Sequence, residues 1–176
     1  HQDIISQRIA TLSQLHDVRK GVLIIPVSTL QQRLPPASFY QGQTFVLDIG
    51  STCDVDNTRR QLENAGYHCV DTVYEHGEYA VRGSIVDIFP MGQPLPFRIE
   101  LFDDEIESLR TFDPDNQRTL DKIEQVRILP AREFPLDTTA IRTFKARWFD
   151  FFEQDPKACS VYTDVAQGIA PAGVEY

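Results

Sequence analysis

Between Glu75 and Asp113 the chain reads EHGEYAVRGSIVDIFPMGQPLPFRIELFDDEIESLRTFD, and no other stretch limits the fold as much. Residues 84–89, 97–102 and 106–112 are short runs rich in β-branched and aromatic side chains. Turn residues bound them: Pro90 and Gly92 end the first run, and Asp103-Asp104 forms a tight turn between the second and third. Strands joined by such short linkers favour sequential antiparallel pairing. Little chain remains between them to build an enzyme's active site.

The pattern extends on both sides. Residues 44–49 read as a strand. Asp54 or Asp56 caps a helix running through Arg59, Leu62 and Ala65, and Gly66 stands where a helix end needs a left-handed residue. From Tyr67 the period turns to two, making 68–74 a strand candidate, with Gly77 a turn or bulge. Residues 122–129 give a last strand before Pro130.

The flanks differ in style. Ile5, Ile9, Leu12 and Leu15 recur at helical spacing over residues 3–15, with Asp3 as N-cap. The continuous apolar run at 22–27 fits a strand buried on both faces of a parallel sheet. Ser28 then caps a short helix through Leu34, stopped by Pro35-Pro36. Helix, buried strand, helix is a fragment of an α/β layer, and one parallel strand needs neighbours. Beyond Pro130 and Pro135, Ile141, Phe144, Trp148 and Phe151 mark a helix with a core-facing aromatic stripe. The tail from Pro171 is weakly patterned. Opening on His1, the chain reads as a piece of something longer.

The 176 residues carry a formal charge of −9, which argues against a broad phosphate-gripping face while leaving room for a local basic patch. Three widely spaced cysteines, Cys53, Cys69 and Cys159, fit free thiols in a reducing cytoplasm. No apolar run approaches the ~20 residues of a membrane span. None of the nine glycines falls in a G-x-x-x-x-G-K-[ST] or G-x-G-x-x-G loop, so no nucleotide or other cofactor is expected. Nor is there a G-x-S-x-G elbow or an H-E-x-x-H pair.

Asp103, Asp104, Glu105 and Glu107 could be read as a metal or acid/base site, but neighbours on an extended strand alternate faces, and a solvated hairpin is the better account. His68, Cys69, His76 and Cys53 match no zinc spacing. Arg98 and Phe102 stand apart. If Ile99 and Leu101 face the core, alternation puts Arg98, Glu100 and Phe102 outside, and Arg with an exposed ring is hot-spot chemistry. The plain alternative is a salt bridge from Arg98 to a carboxylate, with Phe102 folded inward. Arg82 lies beside a strand in the same acidic setting.

EYAVRGSIVDIF at 78–89 and FRIELFDDE at 97–105 carry the pattern RG-x-x-x-D-x-FP followed by R-x-E-x-F-D-x-E. This resembles the UvrB damage-recognition proteins, and more closely the UvrB-like region of the bacterial transcription-repair coupling factors (Mfd), along nearly the whole chain. The resemblance implies an α/β architecture in which a β-rich α+β domain that binds UvrA, residues 45–129, is inserted into a degenerate RecA-like parallel-sheet layer. Residues 1–44 would be the C-terminal part of that layer and 130–176 its returning segment. By the same resemblance Arg82, Arg98 and Phe102 are the partner-binding residues. This chain departs from UvrB in having Ala80 where UvrB has a further arginine, in an acidic 48–54 segment, and in lacking the long damage-probing hairpin.

The expected function is a non-catalytic, cytoplasmic adaptor, without cofactor or metal, that recruits UvrA to stalled transcription complexes for nucleotide excision repair. ATP-driven translocation, DNA and RNA polymerase contact belong to other regions of the parent. Two rivals stand beside it: a nucleic-acid-binding module using the same arginines, and an intramolecular clamp in which other domains of the parent cover the same face.

Overall fold

The computed structural model describes residues 2–15 and 17–171. They fall into two compact units divided between Arg132 and Glu133. His1, His16 and residues 172–176 of the tail lie outside the described residues. In the first unit the order is α1 (Gln2–Leu15), α2 (Val27–Leu30), α3 (Ala37–Gln43), β1 (Phe45–Asp48), α4 (Val55–Asn64), β2 (His68–Cys69), β3 (Glu78–Arg82), β4 (Ile85–Ile88), β5 (Phe97–Phe102), β6 (Glu105–Phe112), β7 (Thr119–Lys122) and β8 (Gln125–Ile128). The second unit holds α5 (Thr138–Phe151), a 3₁₀ turn (Pro156–Ala158) and α6 (Ser160–Ala166).

Strands β2 to β7 form one sheet in sequence order, parallel only between β2 and β3. Antiparallel pairing of β1 with β8 makes a second, two-stranded sheet. The architecture is mixed α and β, with sequential hairpins at its centre. Alternation drives it: Tyr79, Val86, Ile88, Phe97, Ile99 and Leu109 all point to one face and bury themselves against Leu62 and Ala65 at α4 and Leu47, Val126 and Ile128 of the small sheet. A smaller cluster, Val73, Ala80, Phe89 and Phe112, closes over one end of the opposite face.

Helix α4 begins on Asp54, whose Oδ1 accepts the Asn57 amide at 2.8 Å. It ends at Gly66, with φ +96°. A side chain there would be strained and would also run into Arg132, whose Cγ lies 3.1 Å from where a Cβ would sit. The next residue fastens the unit: the buried Tyr67 hydroxyl donates to the Leu129 carbonyl at 2.6 Å and accepts the Met91 amide at 3.3 Å. One side chain thereby ties the end of α4 to the exit of β8 and to the β4–β5 linker.

Several expectations need correction. Residues 22–26 form no strand, and Val22 is 91% exposed, because the described residues place no neighbouring strand beside them. The helix expected through Leu34 stops after one turn at Leu30. Strand 68–74 shrinks to His68–Cys69, since the chain then turns away to cover the opposite face with Val73. The single strand at 122–129 is two strands belonging to different sheets. Strand β3 and helix α3 were not anticipated. The α5 stripe forms, but only Trp148 is fully buried. Its ring stacks on Phe152 at 4.4 Å and meets Tyr162 edge-on at 4.8 Å, while Phe151 stays exposed.

Replacing Tyr67 with Phe strands a buried carbonyl and amide, and should cost roughly 1–3 kcal/mol in urea unfolding. Burial also raises the Tyr67 phenol well above its ordinary value. The folded state keeps the proton where the unfolded chain loses it, so stability held below about pH 10 is lost as pH rises beyond. The Tyr67→Phe variant should show a shallower loss over that alkaline range.

Candidate docking face

The alternation that buries one face of the large sheet presents the other. Across β3 to β7 the register sets Ala80, Asp87, Arg98, Arg110 and Lys122 side by side in one row. The adjacent row is Arg82, Ile85, Glu100 and Ser108. Within these two rows four cations meet two carboxylates, on a chain whose net charge is −9, and Glu105 joins the same face opposite Phe102. Ala80 is buried in the Val73–Phe89–Phe112 cluster, a small apolar residue closing a satellite core.

Asp87 is the centre of the face. Its exposure is 0%, and its carboxylate accepts three N–H groups. Arg98 reaches it in fork fashion, Nε to Oδ1 at 2.8 Å and Nη2 to Oδ2 at 2.9 Å. Arg82 Nη2 donates to the same Oδ2. A buried carboxylate without such donors would be costly to ionise, and bidentate arginine is the strongest compensation a protein offers.

The surroundings lock Arg98 further. Its Nη1 donates to the Gln117 carbonyl at 3.2 Å, and its guanidinium lies 4.8 Å from the Phe112 ring centroid. Gln117 holds φ +61° and fixes the loop by donating Nε2 to the carbonyls of Val73 at 3.1 Å and Pro114 at 2.6 Å. Hydrogen bonding to Asp87 raises the Arg98 pKa above its usual value, opposed by burial and helped by the charges of Asp87 and Glu100. Its side chain is 15% exposed against 45% for Arg82, so Arg82 carries the open donors of the pair.

Phe102 ends β5 at the hairpin, on the Arg98 face, with 69% of its surface exposed. Asp103 makes the turn with φ +54°, a conformation aspartate tolerates better than most residues. Sequence reasoning placed Arg98 and Phe102 on one face, and they are there. The Arg98 salt bridge it named as the alternative also exists, to Asp87, while Phe102 is not folded inward. Arg82 shares the face, about two strand spacings (~10 Å) from β5.

Three residues of this face were missed: Asp87, Arg110 and Lys122. Asp87 lay hidden inside the apolar run IVDIF, although a lone carboxylate in a buried strand signals a paired cation. The cations of β6 and β7 needed the register to be found. Elsewhere, Asp103, Asp104, Glu105 and Glu107 are exposed around the hairpin. Cys53 is buried 3.4 Å from the Thr58 hydroxyl, and His76 spans Asp3 at 2.9 Å and the Gln93 carbonyl at 2.8 Å. Among the described residues no three His, Cys, Asp or Glu side chains converge as for a metal ion. No described helix is long and apolar enough to cross a membrane.

The UvrB interaction domain matches residues 45–134, a span that holds both sheets and the whole Asp87 face. The chain belongs to the UvrB interaction domain family. It is 52% identical over 178 residues to the transcription-repair-coupling factor of Escherichia coli (strain K12), covering all of this chain and 15% of that protein. Identity is 46% over 179 residues to the factor of the same name from Haemophilus influenzae, again with 15% of its length. A Staphylococcus aureus relative of that name is 41% identical over 143 residues, which is 81% of this chain and 12% of the relative. The chain therefore spans about 15% of the length of the first two curated relatives.

The two arginines of this UvrB interaction domain should behave differently in stability. Arg98→Ala leaves Asp87 buried beside a half-exposed cation, and should cost about 3–5 kcal/mol in urea unfolding. Arg82→Ala removes a partly solvated partner and should cost about 1 kcal/mol or less. Equal losses would show that the carboxylate draws on both arginines alike.

Proposed function

We propose that this chain is a non-catalytic adaptor module of a transcription-repair coupling factor, and that its outer sheet face docks onto UvrA to bring excision repair to stalled transcription complexes. Arg82, Arg98 and Phe102 are the contact residues, and no cofactor or metal takes part. The observation that carries the reading is the pairing of an arginine cluster with a ring left 69% exposed on a rigid strand of the same face. A pinned guanidinium and an aromatic anchor lose little freedom on docking and bury large area, which is the make-up of interface hot spots. Membership of the UvrB interaction domain family supports the assignment. DNA and RNA polymerase would be engaged by other regions of the parent protein.

One observation favours a second reading. Arg98, Arg110 and Lys122 line up across three strands, as a phosphate backbone would ask. Against it, Asp87 already neutralises part of this charge, and Glu100 stands in the neighbouring row. Phe102 also has no partner in a duplex backbone. If the same face folds back on other domains of the parent, the isolated chain should bind UvrA more tightly than the whole protein does.

Calorimetric titration with purified UvrA tests the proposal. The native chain should bind, and Arg82→Glu and Phe102→Ala should each weaken binding by about 2 kcal/mol or more, some thirtyfold in Kd. Binding to duplex DNA that falls steeply with salt, with none to UvrA, would select the nucleic-acid reading.

A further inference from the structure

We infer that Asp87 is a positioning residue: it holds Arg82 pre-aimed to take one carboxylate, the side chain of an aspartate or glutamate on the docking partner. The inference rests on the docking reading above and adds the chemistry of its central contact. Two guanidinium groups surround the one buried carboxylate, Arg110 and Lys122 continue its row and Glu100 stands in the next, so the face around Asp87 keeps a surplus of positive charge. Arg98 presents less of that charge than Arg82 does. Nε, Nη1 and Nη2 all donate within the chain, the Phe112 ring lies 4.8 Å away, and only 15% of the side chain is exposed. The charge surfaces through Arg82, which donates a single described hydrogen bond, from Nη2 to Asp87, and is 45% exposed.

A surface arginine ordinarily samples many rotamers, and docking must freeze them. Here the tether to a fully buried carboxylate freezes Arg82 during folding, so little ordering is left for the encounter. The setting also selects the ligand. Ile85 lies between Arg82 and Glu100 in the row, and Phe102 stands at the hairpin end of the same face, so a docked group would lose water on its apolar side. Glu100 disfavours a doubly charged phosphate. A modest positive surplus beside an apolar rim matches one carboxylate of a protein surface.

The test is a binding cycle with UvrA using Arg82→Ala, Asp87→Asn and the double variant, each checked for fold by urea unfolding. Each single change should raise Kd about tenfold or more, and the double should fall well short of the product of the two, because Asp87 acts in large part through Arg82. Multiplying effects would overturn the inference. Asp87→Asn leaves Arg98 without its counter-ion and can fail to fold, so the native chain supplies a second readout without UvrA. Nitrogen-15 NMR of the Arg82 guanidinium should show hindered rotation with separate Nη signals. One averaged Nη signal would overturn the positioning role whether or not UvrA binds. A native chain that shows hindered rotation but no UvrA binding would defeat the docking reading and leave the tether standing. Binding lost in Arg82→Glu should return with one Asp→Lys or Glu→Lys replacement in UvrA. Failure of every such replacement would rule out the carboxylate.

Discussion

An ionised carboxylate with no exposed surface is tolerated in a protein only where donors and opposite charge replace the water it has lost. Asp87 imposes that demand at the middle of a six-stranded sheet, and much of the neighbouring structure answers it. Arg98 must stand directly opposite on β5, Arg82 must reach over from β3, and the loop after β6 must bring the Gln117 carbonyl to the remaining edge of Arg98. A slip of one residue in β4 would turn Asp87 into the Val86–Ile88 core and leave Arg98 unpaired. The carboxylate therefore specifies register as well as charge. Folding the sheet correctly and assembling the candidate docking face are the same event.

This coupling explains why the two arginines are unlike despite their shared partner. Arg98 is walled in by Phe112 and by a loop that Asp113 shapes, its carboxylate accepting the Asp115 amide at 2.8 Å and the Asn116 side chain at 2.7 Å. Arg82 stands at the end of β3, before the Gly83 turn, where nothing comparable covers it. One cation serves mainly the fold and the other mainly the surface. Removing either changes both, which is why binding and stability have to be measured together.

What the sequence disclosed follows from which signals are local. FRIELF shows a clean period of two, and that alternation alone put Arg98 and Phe102 on one face. The caps of α4 were legible because Asp54 and Gly66 act on their own neighbours. Strand β3 was not, since EYAVR has no clear alternation and becomes a strand by pairing with β4. The run at 22–27 shows the limit from the other side. Its apolar residues announce burial, but periodicity does not supply the strands that would bury them. Asp87, Arg110 and Lys122 share one row only through register, a tertiary property that no single run contains. The division of 122–129 between two sheets is tertiary in the same way: the Ile123 amide bonds back to Leu109, while the Glu124 carbonyl accepts from Ile49 beside β1.

The overall charge and the local row act at different distances, and that difference bears on what the face can hold. From Asp87 to Lys122 the row crosses three strand spacings, about 14 Å. Screening at physiological salt acts over about 8 Å, so a partner patch of that size, once docked, feels mainly the row beneath it. A long polyanion extends past the row and meets the rest of a chain with a net charge of −9. A basic patch on an acidic protein thus favours a compact acidic surface over an extended one. Phe102 sharpens the choice, because an exposed ring contributes to docking only if the partner offers an apolar recess to receive it.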